Sequence, residues 1–240
     1  MSAAVSIHQP NFIPWCGYFA KILASETFVF LDTAQFSKGS YQNRVMLKTP
    51  QGAAWLTANV KKEKSSFIPS KIIELAEFDR WKVKHLKTIQ ANYSKSKEFD
   101  FFYEQLSRFY LTADFKYLCD FNIALITLCC DALGIETDHF VRSSALNITE
   151  SNDDALIEIC KNVNADTYIS GSGGQNYQDD SKFLDHGITV VYNFFKHPSY
   201  AQLWNKFDSG LSVLDLLLNE GPAAGQILRD SVNDPSQINL

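Results

Sequence analysis

Along the 240-residue chain the apolar positions change period several times, and each change marks an element. Ala3–Ile7 and Phe28–Leu31 are short continuous apolar runs, the pattern of strands covered on both faces. Between them the stretch from Gly17 to Ser25 is amphipathic at helical spacing, so the chain opens strand, helix, strand, which predicts a parallel pair with a right-handed crossover. From Arg44 to Val60 two short alternating segments flank Thr49-Pro50-Gln51-Gly52, and a hairpin follows from that turn composition. Residues 79 to 133 read as helices throughout: Trp81, His85, Ile89 and Asn92 share one stripe, Phe99–Leu111 forms a second helix, and Tyr117–Leu133 a third that stops at Gly134.

The strand–helix alternation then resumes with Phe140-Val141-Arg142, a helix from Asp153 to Asn162 capped by Ser151 or Asn152, and strands at Thr167–Ser170 and Ile188–Tyr192. A last helix, Ser212–Asn219, ends at Gly221-Pro222, and the polar stretch after Gly225 carries no packing pattern and is expected to be loosely ordered. The predicted fold is α/β: a mainly parallel, Rossmann-like sheet with a helical insert at 79–133 and a small β-hairpin. Because strands come from both ends of the chain, the reading is one domain over residues 1–225 with a tail at 226–240.

Composition narrows the function. With 45% hydrophobic and 20% charged residues the chain is neither disordered nor fibrous. Its net charge of −5 gives no general attraction for phosphate backbones, so nucleic acid is not an expected partner. The five cysteines, Cys16, Cys119, Cys129, Cys130 and Cys160, are odd in number and lack CxxC spacing, against both a disulfide framework and a zinc site. No basic leader and no run of about 18 apolar residues is seen, so the protein is expected to be cytoplasmic, without a membrane span.

Ligands of open parallel sheets bind beyond the carboxyl ends of the strands, which makes the residues there the first candidates. After the first strand come His8, Gln9 and Asn11 in a loop stiffened by Pro10 and Pro14. A histidine at that place can exchange a proton near neutral pH; the plainer alternative is that it ties down the loop. After the second strand, Asp32 heads a polar segment that includes Lys38, Asn43 and Arg44, where Arg44 could take a phosphate or carboxylate bidentately, or could simply pair with Asp32. On the insert, His85 and Tyr93 can share a helix face.

Ser170 and Gly171 open a glycine-rich turn running to Tyr177, whose backbone N–H groups could cradle an oxyanion, although neither the Walker lysine nor a GxGxxG pattern is present. After the last strand, His197, Tyr200 and Gln202 offer a second acid/base and two donors, and His8 and His197 are expected to be neighbours. His8, His197 and Asp32 form the expected catalytic set, and the other named groups line the substrate. A thiol role for Cys16 is the remaining alternative; free cysteines are usually buried packing residues.

Taken together, Ile7-His8-Gln9-Pro10-Asn11-Phe12-Ile13-Pro14-Trp15-Cys16-Gly17-Tyr18-Phe19, Phe30-Leu31-Asp32, Gln42-Asn43-Arg44, His85 with Tyr93 and Lys95, Tyr168-Ile169-Ser170-Gly171, and His197-Pro198 with Tyr200 and Gln202 resemble the WbqC-like protein family over roughly residues 5–225. The resemblance implies a bacterial protein of O-antigen or other surface-polysaccharide biosynthesis, working on nucleotide-linked sugars, with other pathway enzymes as partners. The activity expected on this basis is transfer of an acyl or aminoacyl group to the amine of a nucleotide-linked amino sugar, with His8 or His197 as base. ATP is a compatible cosubstrate if the reaction is a ligation. A noncatalytic sugar-nucleotide-binding or scaffolding protein of the same pathway is the alternative.

Overall fold

In a computed structural model of the chain, residues 3–62, 67–176, 178–204 and 206–232 are described. Five strands form one parallel sheet: β1 (Ala4–His8), β2 (Thr27–Phe30), β5 (Phe140–Arg142), β6 (Thr167–Gly171) and β7 (Thr189–Asn193), in the order β5-β2-β1-β6-β7. β3 (Arg44–Thr49) and β4 (Gly52–Thr57) make the separate antiparallel hairpin, turning at the Thr49–Gly52 position. The parallel, Rossmann-like sheet, the hairpin and the helical middle all stand as the hydrophobic pattern predicts.

The two faces of the sheet are covered by different parts of the chain. Val5, Ile7 and Val29 point to one face, where α5 (Asn152–Asn162) and α6 (Asp180–Asp185) close a core with Ile159, Cys160 and Phe183. Phe28 and Phe30 point to the other, toward α1 (Cys16–Leu23) and the insert helices α2 (Phe78–Tyr93), α3 (Phe99–Thr112) and α4 (Leu118–Leu133). The same cluster takes in α7 (Val213–Glu220) and α8 (Ala224–Val232), so the insert and the C-terminal helices share one hydrophobic interior with α1. Period-2 alternation on β1 fixes the consequence: Ser6 and His8 face α1, and Ser6 Oγ donates to the Lys21 carbonyl there at 3.1 Å.

Two sequence expectations need correction. The stretch after Gly225 is helical through Val232, with Leu228 fully buried between α1 and α4; residues 233–240 lie outside the described residues. The helix before it does stop at Gly221 (φ 53°) and Pro222, but it is not the last one, because a short 3-10 segment leads from there directly into α8. No helix among the described residues is long and apolar enough to cross a membrane.

Candidate functional site

The connections out of the sheet diverge at one place. From β1 the chain passes through α1 to β2 on one side, whereas from β6 it passes through α6 to β7 on the other, and the two helices lie on opposite faces. Such a switch point leaves a crevice between the carboxyl ends of the two strands. The ladder shows the opening: β1 pairs with β2 as far as His8↔Phe30, and β6 with β7 as far as Gly171↔Asn193, but β1 and β6 pair only to Ser6↔Ile169.

His8 stands on one wall of this crevice. Its ring is partly exposed, sits edge-on to Tyr18 at 4.7 Å, and places Nδ1 3.0 Å from the Gln9 carbonyl. Nδ1 must therefore carry the proton, which leaves the lone pair on Nε2. Burial, with the Lys21 ammonium adding to it, pulls the imidazole down to about 3, so the ring is neutral at pH 7. Tyr18 shapes the loop beyond: its hydroxyl donates to the Gln9 carbonyl at 3.1 Å and accepts from the Asn11 backbone. Gln9 is held by Gln42 (3.0 Å), and Asn122 Nδ2 grips the Pro10 and Gln42 carbonyls at 2.9 and 2.8 Å. Ile13, a β-branched residue at φ 37°, stores backbone strain in this loop, as segments next to functional sites often do.

The opposite wall is the turn after β6. Ser170 is buried and its Oγ donates to Gln178 Oε1 at 2.5 Å, while Gln178 Nε2 is buried without a partner among the described residues. Gly174 is required there, since a Cβ would overlap both Ser170 Oγ and the Gln178 side chain. Around Gly171 and Gly173 a Cβ would meet nothing within 4 Å, so the turn presents open backbone. Tyr177 lies outside the described residues.

A strap from β7 crosses the strand ends. Phe195 meets Trp15, at the head of α1, at 5.5 Å, and His197 is packed among Phe195, Tyr200 and Phe207. His197 Nδ1 lies 2.9 Å from the Pro198 carbonyl, its Nε2 is buried and unpartnered, and burial lowers its basicity. The expected adjacency of His8 and His197 is not what these contacts describe: each ring has its own set of neighbours. Beneath the strap, Tyr200 Oη donates to Asp215 Oδ2 at 2.8 Å, with the Tyr93 hydroxyl facing the same carboxylate at looser geometry, because Oδ1 has no bonded partner. Burial raises Asp215 to about 6. Gln202 braces the strap through Asp208, and Lys48, itself buried, pairs with Asp208 at 2.7 Å and donates to the Lys206 carbonyl.

Several expected site residues are spent on structure. Asp32 is fully buried and accepts four bonds, from Ser143 Oγ (2.9 Å), Ser144 N (2.8 Å), Ser144 Oγ (2.7 Å) and Arg142 Nε (2.8 Å). Burial pushes its carboxyl up, yet these donors together hold it below the ordinary carboxylate range. With both oxygens committed, no lone pair is open for the expected acid/base role, and its cation is Arg142 rather than Arg44. Arg44 instead lays its guanidinium over Trp55 on the hairpin, 4.1 Å from the ring centroid. Asn43 bonds Gly39 N and the Ala58 carbonyl, and His85 is buried between Phe12 and Trp81 with Nε2 on the Thr57 carbonyl. Cys16 is wholly buried, which pushes its thiol up to about 12, so it is not a thiolate at pH 7.

Comparison with known proteins places this architecture. The sequence model of the WbqC-like protein family matches residues 9–227. The chain belongs to the WbqC-like protein family. A mycobacterial relative of this WbqC-like protein, the uncharacterized protein Rv1507c of Mycobacterium tuberculosis, is 31% identical over 226 residues, covering 94% of this chain and 97% of the relative. No solved structure matches the WbqC-like chain.

One group at the crevice escaped the sequence reading. Lys21 on α1 is 6% exposed and donates from Nζ to the Ile7 carbonyl at 3.1 Å. In the sequence it looks like a dipole partner in the last turn of a helix; only the packing of α1 on β1 turns it inward.

Proposed function

We propose that this protein is an enzyme of bacterial surface-polysaccharide biosynthesis that transfers an acyl or aminoacyl group to the amine of a nucleotide-linked amino sugar. The observation that carries this reading is the crevice between β1 and β6, with a neutral, partly exposed imidazole on one wall and an open glycine-rich turn on the other. The glycine-rich end of β6 and the 3-10 segment Ser172–Asn176 after it suit the diphosphate of the sugar nucleotide, because glycine lets a ligand approach the backbone closely.

His8 is the proposed proton acceptor. Its Nε2 lone pair is available at neutral pH to accept the proton that the sugar nitrogen loses as it bonds to the acyl carbon. His197, wedged among aromatic rings in the strap, and Asp32, with every acceptor position filled, have structural roles in this scheme. Whether the acyl group arrives preactivated or is activated with ATP sets transferase against ligase, and the assay separates them.

UDP- and dTDP-linked amino sugars incubated with acyl donors, with and without ATP, should give a product heavier by the acyl group, read by mass spectrometry. His8→Gln should lower the rate by about 10²-fold or more, the usual contribution of general acid–base catalysis. Sugar-nucleotide binding without product across the panel would favour the noncatalytic binding role, and neither binding nor product overturns the reading.

A further inference from the structure

The gap between β1 and β6 has a specific electrostatic consequence. The Ala4 and His8 carbonyls accept from Glu26 N and Leu31 N, on the β2 side, whereas the Ala3 carbonyl accepts from Thr167 N, on the β6 side. Carbonyls alternate along a strand, so the Ile7 carbonyl also points toward β6. Stepping four residues along both strands from Ala3 and Thr167 shows what a continued ladder would have placed there: the N–H of Gly171. The strands have parted by then, and the Ile7 carbonyl takes the Lys21 ammonium instead. One rung is thus missing there, with a buried cation on the Ile7 carbonyl and, across the gap on β6, a backbone N–H that the β1 ladder no longer uses.

We propose that Lys21 and the Gly171 N–H form an anion subsite in this crevice, built for a phosphate group of the nucleotide-linked ligand. The inference rests on the proposed function for the identity of the ligand and adds the residue that pairs with its charge. An ammonium has three N–H bonds, and the Ile7 carbonyl takes one. A charge this deeply buried is costly unless something pairs with it, and a phosphate entering the crevice pairs with it. Gly171 leaves the approach clear, since among the described residues no atom lies within 4 Å of where a Cβ would be. Arg44, held over Trp55 on the hairpin, is replaced in this role.

Proton linkage supplies a readout that a merely structural lysine would not move. Burial lowers the free Lys21 amine to about 7, and His8 on β1 is the titratable group facing it. An anion raises the amine again, so binding at pH 8 should take up close to one proton per site.

Calorimetric titration of inorganic pyrophosphate and of UDP, in buffers of different ionisation enthalpy, measures affinity and proton uptake together. The wild type should bind both and take up a proton on binding UDP, whose phosphates are fully ionised at pH 8; Lys21→Met should bind at least tenfold more weakly with no uptake, and His8→Gln should keep the uptake. Lys21→Arg, charged at every pH, should bind without taking up a proton, which covers the case in which Lys21→Met does not fold. Acetate serves as the carboxylate control: equal uptake with acetate and no binding of pyrophosphate overturns the phosphate assignment. Tight UDP binding that is unchanged in Lys21→Met overturns the subsite while leaving the proposed function standing. Failure of the wild type to bind UDP or pyrophosphate overturns both.

Discussion

At the scale of single residues, His85 shows how burial becomes a dependence on pH. Its neutral ring donates from Nε2 to the Thr57 carbonyl, while Nδ1 faces the aromatic interior without a partner. Burial first, opposed by the Thr57 bond and aided by Lys84, pulls it down to about 4. The unfolded chain binds a proton on this ring near pH 6.5 and the folded chain does not until about pH 4, so stability falls as pH drops through that window. Denaturant titrations at pH 7 and pH 4 should show the wild type losing about 3 kcal/mol more than His85→Phe between the two conditions. Equal losses would show that the ring is not what the acid attacks. Asp215 has the opposite sign: raised to about 6, it stabilises the fold more as pH falls from 6 toward 4.

At the scale of elements, the loops after β2 and β5 are fastened by one carboxylate. β5 is only three residues long and lies at the sheet edge, so pairing with β2 gives it little hold of its own. Asp32 supplies the rest by collecting Arg142, Ser143 and Ser144. Asp32→Ala strands the Ser143 and Ser144 donors, while Arg142 keeps its pair with Asp120, and should cost roughly 1–3 kcal/mol, measured as a lower urea midpoint; a midpoint unchanged from wild type would return Asp32 to the list of catalytic candidates. The same pairs show what could be read without coordinates. Phe28–Leu31 announces its strand by apolar continuity, and Leu118–Leu133 announces its helix by period and by the glycine that follows it at position 134. Asp32 sits where a ligand-binding carboxylate would, and only the distant Arg142–Ser144 segment, brought alongside by β2–β5 pairing, reveals its anchoring role. The six residues of α6 are too few to show a helical period, and α8 hides behind a glycine–proline pair that ordinarily ends a helix.

At the scale of the whole molecule, strand order decides where ligand chemistry belongs. The order β5-β2-β1-β6-β7 sends α1 and α6 to opposite faces and opens the sheet between β1 and β6, with His8 and Lys21 on the β1 side and Ser170 and Gly171 on the β6 side. The sequence located both walls through their strand ends, but pairing of nonadjacent strands is not written in any local pattern, so the missing rung and the inward lysine appear only in three dimensions. In the proposed function this crevice, and not the Tyr41–Arg44–Trp55 face of the hairpin, receives the nucleotide. Backbone amide chemical shifts followed during titration with UDP test it most directly. The first and largest changes are expected on Gly171–Gly174 and His8–Gln9; changes confined to Tyr41, Arg44 and the Trp55 indole would move the nucleotide to the hairpin face.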